Sequence, residues 1–214
     1  MKRKDITKIV YITPSIYIAG GVERVLTTKV NYLANQVDKY DVTIRSLVEK
    51  QCPNWRLDVY GAGDAKPYQK LAEELKLYNM RYALNGPTKD ISQEYLHSSI
   101  FALSSRFEGF GMVILEAMSH GLAVVSFDCP CGPKAIIEDG VDGVLVENGE
   151  PEKLAQVIIQ LIQDEDRRRA LAAKAREKSR MYSIEFIGKQ WEQLFVDVSD
   201  KDTPQPRQTD CAIR

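Results

Sequence analysis

The 214-residue chain has few of the residues on which several classes of site depend. It contains only two histidines, His97 and His120, so the sequence offers very few residues for a histidine-based metal site or a Ser-His-Asp relay. Its four cysteines show no framework spacing, and the Cys129-Pro130-Cys131 segment lacks the second cysteine or histidine pair that a zinc site requires. We therefore expect reduced thiols and no bound metal.

The chain also lacks an excess of charge and a long apolar run. Lys and Arg number 29 against 30 Asp and Glu, a formal net charge of -1, so no uniform positive field is available to hold nucleic acid. No stretch approaches the roughly 18 to 20 apolar residues of a membrane-spanning helix, and the apolar run Ile9–Ile12 is too short for a secretory signal. We expect a cytoplasmic globular protein whose 44% hydrophobic residues suffice for one core.

Short β-branched and aromatic runs alternate with helically spaced apolar residues along most of the chain. Strands are predicted at Lys8–Thr13, Asp41–Val48, Arg56–Tyr60, Met80–Leu84, Ile100–Leu103, Leu122–Phe127 and Gly143–Val146. Helices are predicted at Val22–Gln36, Pro67–Leu77, Ile91–Ser98, Gly111–His120, Lys134–Glu138, Pro151–Gln163, Asp164–Arg180 and Ile184–Val198. This alternation predicts an α/β fold with a parallel sheet.

Three motifs have structural explanations beside functional ones. Gly61–Gly63 follows a strand as in dinucleotide-binding proteins, but Lys66 replaces the third glycine, so a tight strand-to-helix turn explains it. The acidic groups Asp164–Asp166 and Asp200–Asp202 resemble metal-binding acid pairs, yet they fall at a helix junction and in a polar tail. The basic residues of Arg167–Arg180 could contact anionic lipid, but interleaved acids favour a solvated helix face and at most weak membrane contact.

The most informative stretch is Ser104–Phe127, whose predicted helix is apolar on nearly every side except for Glu116. Burying an unpaired carboxylate is costly, so Glu116 is expected to have a partner. One candidate is a structural i, i+4 contact with His120. The other is a pair of ligand hydroxyls, since a carboxylate offers two oxygens that can accept hydrogen bonds from a vicinal diol.

The loop before this helix favours an anion. In the segment Gly109-Phe110-Gly111, the two glycines have no side chains to cover the backbone where the helix begins. Glu108 directly precedes this segment in the same loop. Free N–H groups at a helix N-terminus, aided by the helix dipole, suit a phosphate. The sequence therefore predicts a phosphate site at the start of this helix.

Glu108 and Glu116, spaced E-x7-E in the segment EGFGMVILE, closely resemble the donor-site motif of retaining glycosyltransferases with the GT-B fold, particularly family four. The resemblance covers about residues 52–197. The segment ITPSIYIAGGVERV resembles the opening strand, glycine-rich loop and first helix of the same family's acceptor domain. Further landmarks of the donor domain are Leu57–Gly63, Asn85-Gly86, Ser104-Ser105, Phe127–Pro133 and Asp139–Gly143.

The resemblance implies a Rossmann-like parallel sheet with flanking helices, which is a GT-B donor domain with a βαβ fragment of the acceptor domain. The implied boundaries are 1–50 for the acceptor-domain fragment, 51–198 for the donor nucleotide-sugar-binding domain and 199–214 for a polar, disordered tail. Most of the acceptor domain is missing between Val48 and Cys52. Because this junction is short, we expect the fragment to dock beside the donor strands and supply a sheet edge.

The resemblance also implies a role for each matching residue. Glu116 would hold the ribose hydroxyls of the nucleotide. Glu108, the candidate catalytic residue, would bind hydroxyls of the donor sugar. The amides around Phe110, Gly111 and Met112 would contact the sugar and the diphosphate.

Gly20 and Gly21 would close over the phosphates from the acceptor side. In the family, the sugar passes from its nucleoside diphosphate to an acceptor hydroxyl with retained anomeric configuration, and neither a metal nor another cofactor is required. Stabilising the departing diphosphate is then central, and preorganised amides can do this. The implied function is transfer from a nucleotide sugar, a UDP-sugar, to a glycan or lipid-linked acceptor in surface polysaccharide synthesis.

Departures from the family pattern keep a second function open. The acceptor-side histidine and the Arg and Lys that clamp the diphosphate fall in missing regions, and Lys66 and Lys134 do not match the clamp positions. Ala135 stands where relatives carry a glutamate. The alternative is a non-catalytic nucleotide-binding remnant or partner subunit. A nucleotide-sugar epimerase of the same architecture would need catalytic acids and a histidine in a region that this chain lacks.

Overall fold

The computed structural model describes residues 7–12, 44, 47–48, 50–60, 82–85, 88 and 90–201. This part of the chain contains a six-stranded sheet in which every pairing is parallel, and the strand order is β3-β2-β1-β4-β5-β6. The strands are β1 (Thr7–Ile12), β2 (Trp55–Tyr60), β3 (Tyr82–Asn85), β4 (Ile100–Leu103), β5 (Ala123–Asp128) and β6 (Val144–Glu147). The predicted parallel α/β fold is confirmed.

The described helices that follow β3 in the chain agree with the predicted ones within a few residues. They are α1 (Ile91–Leu96), α2 (Met112–Ser119), α3 (Pro133–Ile136), α4 (Pro151–Gln163), α5 (Glu165–Ser179) and α6 (Ile184–Lys201), with a 3-10 turn at Arg180–Tyr182. The chain forms two compact units, Met1–Ser179 and Arg180–Arg214. The sheet and α1 to α5 belong to the first unit, and the 3-10 turn and α6 belong to the second.

The prediction of a strand at Asp41–Val48 is wrong for the residues of this segment that the structure describes. Ile44, Leu47 and Val48 are helical, and the Cys52 amide donates to the Val48 carbonyl at 2.8 Å where the helix ends. Ile44 and Val48 are buried in the core. Because these two residues are four positions apart, one helix face carries both of them, and a helix precedes β2.

β1 occupies the middle of the sheet. It pairs with β2 along its full length and with β4 over Ile9–Tyr11. The expectation that the first segment supplies a sheet edge is therefore wrong. The assignment of residues 1–50 to an acceptor-domain fragment stays a prediction, although their strand shares one sheet with β2 and β4.

The central strands are covered on both faces, as expected for a parallel sheet between helices. Every residue of β4 and the first five residues of β5 are buried. Apolar residues at helical spacing on α2 and α4 complete the core on the two sides of these strands. They include Ile114, Leu115, Met118, Leu154, Ile158 and Leu161.

Several predicted elements lie outside the described residues. These are the helices at Val22–Gln36 and Pro67–Leu77, the turn at Gly61–Gly63, and residues 202–214 of the polar tail. Ser199–Lys201 belong to α6, so the prediction of disorder is wrong for the first three residues of the tail.

Basic residues of α5 make contacts within the first unit. Arg168 donates through Nη1 to the Leu161 carbonyl at 2.7 Å, and its guanidinium carbon lies 5.1 Å from the ring centroid of Trp55. It therefore caps α4 while stacking on an aromatic residue. Arg169 pairs with Glu165 at 2.6 Å. These contacts favour the structural explanation of the basic cluster, and weak membrane contact stays a prediction.

None of the helices in the described part of the chain combines the length and the apolar character needed to cross a membrane.

A partly buried ion pair joins α5 to the turn before β6. Lys178 Nζ lies 2.6 Å from Asp142 Oδ2, and the Glu138 amide donates to Asp142 Oδ1 at 2.8 Å. The Asp142 side chain is only 4% exposed. Removing one partner of such a pair leaves an uncompensated charge in a poorly solvated place.

We expect Asp142→Ala to lower the free energy of unfolding by about 3 kcal/mol, measured by urea titration. Lys174→Ala is the control, because it breaks an exposed pair with Glu177 at 2.9 Å. That change should cost less than about 1 kcal/mol. Equal losses in the two variants would contradict the structural role of Asp142.

Candidate functional site

The candidate site lies where the strand order of the sheet reverses. In a parallel sheet of this order, a ligand crevice opens outside the carboxyl ends of the strands, between β1 and β4. The chain leaving β4 forms the β4 loop, Ser104–Gly111, which contains Glu108 and leads into α2. The chain leaving the neighbouring β5 forms the β5 loop, Cys129–Gly132. These two loops build the site from the same edge of the sheet.

The two loops touch at Gly132. A Cβ at this position would lie 2.8 Å from the Phe110 carbonyl oxygen and 3.0 Å from the Glu108 Cβ, which leaves no room for a side chain. The preceding residue, Cys131, has a φ of 70°, a region that few residues other than glycine adopt. The β5 loop therefore supports the backbone that carries Glu108.

Glu108 presents an enclosed carboxylate oxygen at this contact. The residue is half-buried, and its Oε1 atom is buried without a hydrogen-bond partner among the described residues. An enclosed carboxylate oxygen without a donor is costly, because the hydration it has lost is not replaced. A hydrogen-bond donor from a ligand would remove this cost.

A second contact holds the start of the β4 loop. Asn148, which follows β6, donates through Nδ2 to the Arg106 carbonyl at 3.1 Å. This hydrogen bond connects the edge strand to the backbone two residues before Glu108. The β4 loop is thus supported from both β5 and β6.

Helix α2 begins without a side-chain cap. Its N-cap residue, Gly111, has φ 88° and ψ 45° and gives no side-chain hydrogen bond to the first turn. Glycine adopts this left-handed conformation without the strain of a Cβ. The first amides of a helix have no intrahelical acceptor, and the helix dipole makes this end favourable for anions. Phe110 and Met112, which flank the N-cap, are 42% and 59% exposed.

Glu116 lies on the exposed face of α2, together with Met112 and Ser119, so the expectation of a buried carboxylate is wrong. The Tyr95 hydroxyl donates to its Oε2 atom at 3.4 Å. The contact with His120 forms, but Nδ1 lies 2.7 Å from the Glu116 backbone carbonyl and does not engage the carboxylate. The explanation that His120 satisfies the carboxylate is therefore not supported, and the described protein partner of the carboxylate is Tyr95.

Other predicted site residues are placed as follows. Gly20 and Gly21 lie outside the described residues. Lys134, which does not match a clamp position, has its Nζ atom 3.6 Å from Asp128 Oδ2. Ala135 is exposed.

An open cavity of about 550 Å³ lies at the carboxyl ends of β5 and β6. Neither Glu108 nor Glu116 lines it. We place the candidate site at the E-x7-E segment, because that segment has the enclosed oxygen and the uncapped helix. The cavity is lined by Asp128, Lys134, Asp139, Leu145, Val146, Glu147 and Asn148.

Within the described part of the chain, no group of three or more His, Cys, Asp or Glu side chains could hold a metal ion. The expected absence of a metal or other cofactor stays a prediction.

Tyr95 and Asn148 do not stand out in the sequence, and Gly132 appears there only as one residue of the landmark Phe127–Pro133. The burial of Tyr95 could be inferred, because it lies four residues after Ile91 on the apolar side of a short helix. Its contact with Glu116 joins residues 21 positions apart in the sequence, and no local pattern predicts such a contact. The need for glycine at position 132 arises from two loops meeting, which is equally non-local.

The parallel sheet between helices, with its reversal of strand order at β1, is the arrangement of a Rossmann-like domain of the GT-B type. The family model "Glycosyl transferases group 1" matches residues 36–178, and the chain belongs to this family.

Curated relatives carry related but different names. The chain is 36% identical over 149 residues to the amylovoran biosynthesis glycosyltransferase AmsD of Erwinia amylovora, a match that covers 69% of this chain and 41% of the relative. It is 37% identical over 155 residues to an exopolysaccharide phosphotransferase of Streptomyces coelicolor, covering 71% of this chain and 16% of the relative. The chain therefore spans less than half the length of these relatives.

A solved structure agrees on the fold. The chain is similar to TarM of S. aureus, in a structure with fondaparinux, alpha-GlcNAc-glycerol and UDP, with a TM-score of 0.71 and 25% identity. The match covers 89% of this chain and 36% of TarM.

We expect Gly132→Ala to lower the free energy of unfolding by about 1 to 3 kcal/mol in urea titrations, because the new methyl group must displace the β4 loop. The matched control is Gly109→Ala in the same loop, where a Cβ would meet nothing within 4 Å. This control should stay within about 0.5 kcal/mol. A Gly132→Ala variant as stable as the control would show that the loops are not packed together.

Cys129 gives a pH dependence that can be tested. Burial, reinforced by the Glu108 carboxylate, raises the pKa of its thiol from 9.0 to about 11. Between these values the unfolded chain loses this proton and the folded chain keeps it, so raising the pH favours unfolding. The stability of the unaltered chain relative to Cys129→Ala should therefore fall from pH 9 to pH 11. A constant difference in urea titrations across this range would contradict the burial of the thiol.

Proposed function

We propose that this chain provides the donor site of a retaining glycosyltransferase that uses a UDP-sugar. In this proposal, the sugar passes to a glycan or lipid-linked acceptor in surface polysaccharide synthesis. The nucleotide sugar is a substrate, and no metal or other cofactor takes part.

The enclosed Oε1 atom of Glu108 is the observation that carries this proposal. It has no hydrogen-bond partner among the described residues, and it belongs to the loop that leads into the uncapped N-terminus of α2. A sugar hydroxyl is a neutral donor that would satisfy this oxygen, and a diphosphate is an anion that would suit the helix terminus. A nucleotide sugar brings both groups in one molecule.

Glu116 supplies the third contact. Its exposed carboxylate lies one helical turn after Met112, on the same face of α2. Two carboxylate oxygens can accept hydrogen bonds from the two hydroxyls of a ribose. The order along the chain, Glu108 for the sugar, the amides near Gly111 for the diphosphate and Glu116 for the ribose, matches the order of groups in a nucleotide sugar.

The chemistry follows from the charge that develops when the sugar leaves. Breaking the bond between the anomeric carbon and the diphosphate oxygen places negative charge on the leaving group. Fixed backbone amides and the dipole of α2 stabilise that charge without having to reorganise. Glu108 would hold the sugar while its anomeric carbon reacts with the acceptor hydroxyl.

Two similar proteins support the choice of donor and of acceptor class. AmsD is named for amylovoran biosynthesis, and the TarM structure contains UDP and alpha-GlcNAc-glycerol. These facts belong to the relatives, and they make UDP and surface glycans the first compounds to test for this chain.

The test is calorimetric titration of the chain with UDP and with a UDP-sugar. Glu116→Gln should weaken UDP binding about tenfold, because a charge-assisted hydrogen bond is replaced by a weaker one. Glu108→Gln should leave UDP binding unchanged and weaken the UDP-sugar, because its contact is to the sugar alone. Titrations with GDP and ADP test the choice of base.

Glu152→Gln is a matched control, because Glu152 is an exposed glutamate in the first turn of a different helix, α4. This variant should bind UDP and the UDP-sugar as the unaltered chain does. Equal losses for both compounds in the Glu108 and Glu116 variants would contradict the separate roles, and the absence of any loss would contradict the donor site.

The alternative is a non-catalytic nucleotide-binding partner, because the Arg and Lys that clamp the diphosphate in the family fall in regions that are missing here. Lys134 does not match a clamp position, and its 79% exposed side chain makes only a surface ion pair with Asp128 at 3.6 Å. Binding of a UDP-sugar without its turnover, measured as UDP release with an oligosaccharide acceptor, would support the alternative.

A further inference from the structure

Glu116 has a side chain that would be mobile if nothing held it. An exposed glutamate rotates about three bonds, and fixing these rotations on ligand binding costs conformational entropy. The Tyr95 hydroxyl is the described contact that restrains the carboxylate, at 3.4 Å from Oε2. A restrained carboxylate binds a diol with less entropic loss than a free one.

Tyr95 is itself rigid. Its side chain is 0% exposed, and its ring packs edge-to-face on Phe101 with centroids 6.0 Å apart. The His120 ring also packs against the Tyr95 ring, with centroids 5.2 Å apart. The hydroxyl group is therefore fixed in space by the core beneath it.

The Tyr95 hydroxyl acts as a donor over a wide pH range. Burial, reinforced by the Glu116 carboxylate, raises the pKa of Tyr95. The hydroxyl therefore stays protonated at neutral and mildly alkaline pH. A buried hydroxyl also requires a partner of its own, so the contact satisfies both groups.

The backbone beneath Glu116 is held as well. Its carbonyl accepts a hydrogen bond from the Ser119 hydroxyl at 2.7 Å, and His120 Nδ1 lies 2.7 Å from the same oxygen. The residue is thus restrained at the carboxylate by α1 and at the carbonyl by the end of α2.

We propose that Tyr95 is a positioning residue that orients the Glu116 carboxylate for the two ribose hydroxyls of the nucleotide. This inference rests on the proposed function, because it assigns a support to one residue of the same donor site. Tyr95 acts through Glu116 and does not itself contact the nucleotide.

The test is a double-mutant cycle of Tyr95→Phe and Glu116→Gln, read as UDP affinity by calorimetry. Tyr95→Phe keeps the packed ring and removes only the hydroxyl, and it should weaken UDP binding about threefold to tenfold. In the Glu116→Gln background, the same change should cause little further loss, because the group that it positions has already been altered.

Tyr60→Phe is the matched control. Tyr60 is also a buried tyrosine, and its hydroxyl forms a hydrogen bond with the side chain of Glu94 in α1. Glu94 has no role in the proposed site. Removing this hydroxyl should lower thermal stability and leave UDP affinity unchanged. Comparing the two variants separates a positioning effect from a general loss of stability.

The outcomes distinguish the two proposals. Unchanged UDP affinity in Glu116→Gln would overturn the proposed ribose contact and this inference with it. A loss in Glu116→Gln with unchanged affinity in Tyr95→Phe would overturn this inference alone. Additive losses in the double variant would also overturn it, since they would show that Tyr95 acts independently of Glu116.

Discussion

The backbone hydrogen bonds of β1 hold the sheet together. β1 pairs with β2 on one side and with β4 on the other, so it joins the two sets of strands that run outward in opposite directions. A parallel strand in this position must be covered on both faces, which requires helices on each side of the sheet. The strand order reverses at β1, where sheets of this kind commonly bind ligands, and the β4 loop of the candidate site leaves the strand next to β1.

The site depends on the way in which loops from neighbouring strands support each other. The β4 loop carries Glu108, but its position is set by Gly132 of the β5 loop and by the hydrogen bond from Asn148 after β6. Because β4, β5 and β6 are adjacent, their carboxyl-end loops meet at one edge without long connections. A side chain in one loop is therefore oriented by residues that are distant in the sequence.

Most elements that depend on residues close together in the sequence were predicted correctly, whereas the strand order, which depends on distant segments, was not. The strands β4 and β5 and the helices α2 and α4 were predicted from their own residues, because burial on both faces or on one helix face leaves a local pattern. The segment Asp41–Val48 was predicted wrongly, since its alternating and β-branched residues suit a strand while the described part of it is helical. The position of β1 was also predicted wrongly, because strand order depends on pairing between distant segments and not on local pattern.

The exposed position of Glu116 explains how this carboxylate can serve a ligand without destabilising the fold. The core side of α2 is formed by Ile114, Ala117 and Met118, all at 0% exposure, so the glutamate stays hydrated when no ligand is bound. Glu108 behaves in the opposite way, because its enclosed oxygen has lost water and has no described donor in exchange. Of the two glutamates, Glu108 therefore gains more from an added hydrogen-bond donor, while Glu116 must exchange water for ligand hydroxyls. Ligand binding at Glu116 therefore depends on the orientation of its hydrated carboxylate, whereas binding at Glu108 depends on the water that its enclosed oxygen has already lost.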